Sequence, residues 1–263
     1  VDNLIDDIRA WHRKRCYYLK QHLRARNGLS AEVRRGLGWS RELSKSERKK
    51  MGRQASALID KLGKDSDWED MIAMTLVAIK PLEDVEHKCK KRVAKLAAQL
   101  PVWKSFGESI RGFGANSLGV IIGEAGDLSN YANPCKLWKR MGLGLVDGIR
   151  QGGLPKNASK EEWIKHGYNP CRRSRMWNIG DALIKGNREG KYRTLYLSQK
   201  DKYLQRGWSR KHADDAAQRY MEKRLLRHLW QAWRRAIYDV KSIPSVPSAN
   251  YISERNNLSS QMK

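Results

Sequence analysis

The stretch Glu108-Ser109-Ile110-Arg111-Gly112-Phe113-Gly114-Ala115-Asn116-Ser117-Leu118-Gly119-Val120-Ile121-Ile122-Gly123-Glu124 has the residue types and spacing that suit phosphate binding. An apolar helix end runs into Gly-Phe-Gly, and a second apolar helix follows at once. Two glycines permit a tight turn at positive φ, which costs other residues strain. The turn leaves the backbone N–H groups of Gly112, Gly114, Ala115 and Asn116 near the start of the second helix. Unpaired N–H donors at the positive end of a helix dipole attract an anion. Phe113 is placed to fill the space between the helices, and Arg111 adds a cation. The pattern is that of a helix-hairpin-helix, which grips nucleic-acid backbone. It also suits an αα-hairpin packed in a core, where the glycines serve only the turn.

Further cations follow this stretch. Lys136, Lys139 and Arg140 crowd the end of one short helix, and Arg150 precedes Gly152-Gly153. Arg172, Arg173 and Arg175 sit in the first turns of another helix, where basic residues oppose the dipole unless an anion is present. The cysteines, Cys16, Cys89, Cys135 and Cys171, form no CxxC. His87 with Cys89, and His166 with Cys171, lack a second ligand pair at metal-site spacing. No metal and no cofactor is therefore expected. The thiols are expected to be free, in a reduced, cytoplasmic setting.

Positioning these groups takes a helical scaffold. The chain has 263 residues, 40% of them hydrophobic, which is enough for a substantial core. It carries 53 Lys and Arg against 28 Asp and Glu, a net charge of +25, which points to polyanions and to nucleic acid before membrane. No apolar run is long enough to cross a bilayer. Residues 3–26 read as a helix with Leu4, Ile8, Trp11, Leu19 and Leu23 on one stripe, stopped by Gly28. Ser44-x-x-Glu47 and Ser66-x-x-Glu69 read as capping boxes opening the next two helices. Pro81 marks a boundary before a third, in which Leu82, Val85, Cys89, Val93, Leu96 and Leu100 form a heptad-like seam. That seam suits packing within the chain or a homodimer through 82–100. Asn133-Pro134 and Asn169-Pro170 are N-cap signals. The glycine-rich segment between them has room for a small β-hairpin at 143–149. Helices follow at 190–206 and 210–240, the last with Met221, Leu225, Leu226, Leu229, Trp230, Trp233 and Ile237 inward. Residues 241–263 are rich in Ser, Pro and Asn and read as a mobile tail.

From Phe106 to about Arg235 the chain resembles the C-terminal transposase domain of the Piv-like insertion-element recombinases, whose better-studied members use a bridge RNA. Three runs carry the resemblance: Ile110-Arg111-Gly112-Phe113-Gly114, Gly123-Glu124-Ala125-Gly126-Asp127-Leu128, and Lys136-Leu137-Trp138-Lys139-Arg140-Met141-Gly142-Leu143. They are followed by Gly152-Gly153 and a basic helix. The helices at 30–100 resemble the coiled-coil segment that precedes this domain. The resemblance implies DNA recombination by an N-terminal RuvC-like domain with four acidic metal ligands and by a serine just before the Gly-Gly. Here no β-rich segment with spaced acids precedes the helices, and Arg150-Gln151 stands before Gly152-Gly153. Gln151 occupies the expected serine position and has no hydroxyl to attack a phosphodiester. Ser159 and Ser174 are the nearby hydroxyls, and each suits a cap or a surface position.

The expectation is an all-α protein. A helical, coiled-coil-like region spans 1–100, a helix-hairpin-helix domain spans 101–240, and the tail follows. The expected function is binding of DNA, or of structured RNA, as a mobile-element or phage accessory that lacks recombinase chemistry. The alternatives are a recombinase subunit that needs a partner chain and a helical protein-interaction module.

Overall fold

The computed structural model describes residues 2–238 apart from 65, 156, 187 and 188, with the backbone alone for 237 and 238. The expected tail at 241–263 and the side chain of Ile237 lie outside the described residues. Helix makes up 75% and strand 2%, so the fold is all-α. The helices are α1 (Asp2–Gly36), α2 (Lys45–Asp60), α3 (Glu69–Ala97), α4 (Ala115–Ala125), α5 (Pro134–Arg140), α6 (Lys160–His166), α7 (Pro170–Gly186), α8 (Lys191–Gln205) and α9 (Arg210–Tyr238). A π turn at Trp103–Gly107 precedes α4, and a 3₁₀ turn at Leu128–Asn130 follows it. Strands β1 (Leu145–Val146) and β2 (Ile149–Arg150) form a minimal antiparallel hairpin. Asp147 and Gly148 turn it with φ of 52° and 77°, the positive pair that an Asp-Gly turn supplies.

α1 is longer than its apolar stripe suggests. It runs through Gly28 to Gly36 because its buried line is Ile5, Ile8, His12, His22, Leu29 and Val33, with two histidines on the inner face. Leu23, expected inside, is 43% exposed. α3 pairs with α1 in the opposite direction. Arg15 Nε donates to Glu86 at 2.6 Å, Arg26 Nε donates to Glu83 at 3.0 Å, and Val33 clusters with Ile72.

The Ser44 capping box is present, with Glu47 N–H donating to Ser44 Oγ and Ser44 N–H donating to Glu47. The box expected at Ser66 is not. There the hydroxyl donates to the Gly63 carbonyl and α3 starts beyond it, with no side-chain cap. Pro81 does not end a helix but lies inside α3. The carbonyl it leaves without a helical partner belongs to Val77, which is 73% exposed, so water can satisfy it.

The C-terminal part of the heptad-like seam packs within the chain, while Leu82 and Val85 are half-buried. Cys89, Val93, Leu96 and Leu100 are buried, and Val93, Leu96 and Leu100 join Ile5 and Ile8 of α1 and Leu118, Ile121 and Ile122 of α4 in the main core. The same core takes in Leu137, Met176, Met221, Leu229 and Trp233, so it continues across position 100. A smaller cluster of Leu29, Val33, Ala55 and Ile72 holds α2 against the far ends of α1 and α3. α4 is the central element. A Cβ at Gly119 would lie 2.5 Å from Val93 of α3, and one at Gly123 would lie 2.4 Å from His12 of α1. These two glycines, one helical turn apart, let α4 approach both long helices.

Candidate functional site

The turn before α4 differs from expectation in one respect. Gly112 has φ +87°, but Gly114 is extended at φ −71° and serves as the N-cap of α4. Gly112 also fits tightly, since a Cβ there would lie 2.7 Å from the Ala182 carbonyl of α7. Phe113 is buried as expected and meets Phe106 edge to face. α4 starts with no side-chain cap, and Gly114 at its tip is exposed. Ala115 and Asn116 follow, half-buried, at the positive end of the helix, and Arg111 is exposed beside them. A cavity of about 270 Å³ adjoins the turn, lined by Ser109, Arg111, Gly190, Lys191 and Arg193 among others.

The three arginines of α7 do not act as one group. Asn169 caps the helix by accepting from Arg172 N–H at 3.0 Å. Arg172 Nε then donates to Oε2 of Glu124 at 3.0 Å, and Arg175 pairs with Oε1 of the same carboxylate. Arg173 turns the other way and donates to Glu222 of α9 at 2.7 Å. Carboxylates from α4 and α9 thus offset the charge that opposes the helix dipole.

Glu124 is the hub of the first cluster. Its side chain is 11% exposed and also meets His12 Nε2 at 2.8 Å. Its backbone carbonyl accepts from Arg140 Nε at 2.9 Å. Burial, and then the charges of Arg172 and Arg9, lower the affinity of Arg140 for its proton. Arg9 and Arg172 therefore both stand close enough to Arg140 to bear on its charge. Cys16 Sγ lies 3.4 Å from His12 Nε2 and 3.0 Å from Arg175 Nη2. Burial would raise the Cys16 thiol, but the hydrogen bond with His12 and the neighbouring charges, those of Arg175 and Arg15 included, together outweigh it, and its pKa falls below the usual thiol value. The trio is not a nucleophile–base–orienter relay. Such a relay uses both imidazole nitrogens, whereas here both contacts fall on Nε2 and His12 Nδ1 is buried without a hydrogen-bond partner.

The second cluster surrounds Glu222, which has no exposed surface and also accepts from Gln218 at 3.0 Å. Arg219 has its pKa lowered by burial and then by Arg173 and, further off, Arg150. Lys223 is lowered by burial and by Arg219, and it lies 5.3 Å above the Trp138 ring. Lys136, Lys139 and Arg150 are exposed.

Gln151 has a structural use. It is 1% exposed; its carbonyl oxygen accepts from Gly144 N–H at 2.9 Å, and its amide donates to the His166 carbonyl at 2.9 Å. It thereby staples the β-hairpin to the end of α6. Gly152 follows with φ +79° against the Tyr168 ring, and Gly153 N–H closes a turn onto Arg150. Ser159 is the N-cap of α6 in a full capping box with Glu162, and Ser174 is exposed on α7.

Sequence reasoning missed the site roles of His12, Cys16, Glu124 and Glu222. The available signals were His12-x-x-x-Cys16, which sets both side chains on one helix face, and Gly119-x-x-x-Gly123, which marks a close helix contact. All four cysteines are free. No helix among the described residues is long and apolar enough to cross a membrane. No known protein family matches the chain, and neither does any curated protein or solved structure.

Proposed function

We propose that this protein binds nucleic-acid backbone, with DNA as its principal target, as an accessory factor of a mobile element or phage that does no chemistry on the strand it holds. The observation that carries the reading is the crowding of cations on the α5–α7–α9 side. Arg172 and Arg9 bear on Arg140 on one flank, and Arg173 and Arg150 on Arg219 on the other; Arg9, Arg172 and Arg173 each have an acid, whereas Arg140 and Arg219 donate to the backbone carbonyls of Glu124 and Gly142. Cations that outnumber the acids among them suit a polyanion, and phosphate contacts of this kind position a strand without reading bases. α5 also carries the exposed Lys136 and Lys139. The uncapped start of α4, with Arg111 beside it, offers a further phosphate contact in the manner of a helix-hairpin-helix. The resemblance to the insertion-element recombinases agrees with this role. The burial of Gln151 in a staple, where a nucleophile would be needed, favours grip without cleavage.

The test is retention of duplex DNA, four-way-junction DNA and structured RNA across a salt titration with Mg²⁺ present, the products being run on a denaturing gel. Binding that falls by about 10³-fold or more between ~50 and ~200 mM salt is expected for six or more phosphate contacts. Affinity indifferent to salt, or no binding to any of the three, would overturn the reading. A covalent protein–DNA adduct or strand cleavage would replace it with an active recombinase subunit.

A further inference from the structure

His12 and Cys16 lie one turn apart on the inner face of α1, and Glu124 comes from α4 to meet them. The three donor atoms lie within 4.8 Å of one another. His12 Nε2 is 2.8 Å from Glu124 Oε1 and 3.4 Å from Cys16 Sγ. A single ring nitrogen thus faces both a carboxylate and a thiol, although one N–H donates well to only one of them. We propose that His12 Nε2, Cys16 Sγ and Glu124 Oε1 form a zinc site, with a fourth position open on the side where Arg175 now stands.

Three observations support this. The donors are imidazole, thiolate and carboxylate, a mixed set that suits Zn²⁺ and would be poor for Ca²⁺ or Mg²⁺. Tetrahedral bonds of about 2.0–2.3 Å place ligand atoms roughly 3.3–3.7 Å apart; His12 Nε2 to Cys16 Sγ at 3.4 Å already matches, His12 Nε2 to Glu124 Oε1 at 2.8 Å must widen, and all three atoms lie within 4.8 Å, so side-chain rotations can bring them to one ion. Finally, a cation already bridges the two acidic ligands. Arg175 sets Nη2 against Cys16 Sγ at 3.0 Å and Nη1 against Glu124 Oε1, so its guanidinium supplies the positive charge that a metal would bring. The Arg175 side chain is 24% exposed and can turn outward. Arg172 holds Oε2 of Glu124, which leaves Oε1 for the ion and fixes the carboxylate's orientation. A thiolate and a carboxylate together balance the charge of one Zn²⁺. Binding releases the thiol proton to solvent when Cys16 starts protonated and involves no redox change. The site would hold α1 to α4, and through Glu124 it adjoins Arg172 and Arg140 of the proposed nucleic-acid surface.

The experiment is titration of the purified chain with Zn²⁺ against a chromophoric chelator, with Co²⁺ as a spectroscopic probe. One ion per chain is expected, with a sulfur-to-cobalt charge-transfer band and the visible bands of tetrahedral Co²⁺. C16S should abolish the charge-transfer band, and H12Q should weaken Zn²⁺ binding at least about tenfold. The double variant C135S/C171S, which removes the two exposed thiols, should leave both signals unchanged. R175Q keeps all three ligands and removes the competing cation, so it should tighten binding by about tenfold. Should C16S or H12Q fail to fold, R175Q still decides: unchanged or weaker binding in that variant overturns the proposal. So does a charge-transfer band that survives C16S or vanishes in C135S/C171S, or the lack of one-to-one binding in the unmodified chain.

Discussion

Arg173 Nη1 lies 2.7 Å from Oε2 of Glu222, a carboxylate with no exposed surface. This pair ties the start of α7 to the middle of α9. A buried ion pair contributes little when compared with an apolar replacement, but removing one partner strands the other charge. Glu222→Ala would leave Arg173 facing Arg219 with no acid between them. We expect it to lower unfolding stability by about 3–5 kcal/mol in denaturant titration. Arg173→Ala should cost a similar amount, and the double variant less than the sum of the two. Simple additivity would show that the pair is not coupled.

Gln151 occupies the place where the recombinase resemblance expects a serine, and the structure gives it a different task. Gln151→Ser should not produce a DNA adduct, because the shorter side chain cannot span from Gly144 N–H to the His166 carbonyl. Losing both hydrogen bonds at a buried site should cost about 1–3 kcal/mol. Thermal unfolding and a denaturing gel of the DNA-incubated variant check the two halves of this prediction. An adduct with unchanged stability would mean that the loop refolds to present the hydroxyl.

The sequence was legible where local chemistry agreed with the fold. Asn133-Pro134, Asn169-Pro170 and Ser44-x-x-Glu47 each open a helix because their side chains reach a backbone N–H from the N-cap. It was less legible where tertiary contacts overrode the local signal. Gly28 sits within α1 because Leu29 and Val33 beyond it bury against α2 and α3. The basic residues of the candidate site were visible as types, whereas their acids were not. Glu124 and Glu222 lie 48 and 49 positions from Arg172 and Arg173, and single-sequence spacing carries no sign of such pairs.

Two glycines should respond in opposite directions. Gly112→Ala puts a Cβ at φ +87° and 2.7 Å from the Ala182 carbonyl, so it should destabilise by about 1–3 kcal/mol or more. Gly28→Ala adds a Cβ with nothing within 4 Å inside a long helix, so it should stabilise by about 0.5–1 kcal/mol. Chemical denaturation of both variants checks this. A stable Gly112→Ala protein would mean that the turn before α4 does not depend on its left-handed residue.

His228 links pH to stability. Burial, aided by Lys191, Arg224 and Arg227, lowers its pKa from 6.5 to about 4, and its Nδ1 lies 3.1 Å from the Tyr192 hydroxyl. The folded protein therefore holds this ring neutral at pH values where the unfolded chain protonates it. Its contribution is present above about pH 6.5 and is lost as pH falls from there toward 4. His228→Gln should flatten that part of the curve of melting temperature against pH. Because the ring is partly exposed, solvent screening will reduce the effect. A curve of unchanged slope would assign the acid sensitivity to other groups.

Exposed and paired cations should separate in a binding assay. Lys136, Lys139 and Arg111 are exposed, so each Ala variant should weaken binding to all duplexes alike and reduce the salt slope by about one unit per lost phosphate contact. Arg173→Ala should instead lower stability first, because its charge is committed to Glu222. Arg140 lies between these cases. It donates to the Glu124 carbonyl at 2.9 Å, yet its side is crowded by Arg9 and Arg172. Removing it relieves that repulsion, so Arg140→Ala should keep or raise the melting temperature while weakening binding. Measuring both quantities on the same preparation decides the point. A variant that loses stability but binds as before would show that the crowded cations serve the fold and not a polyanion.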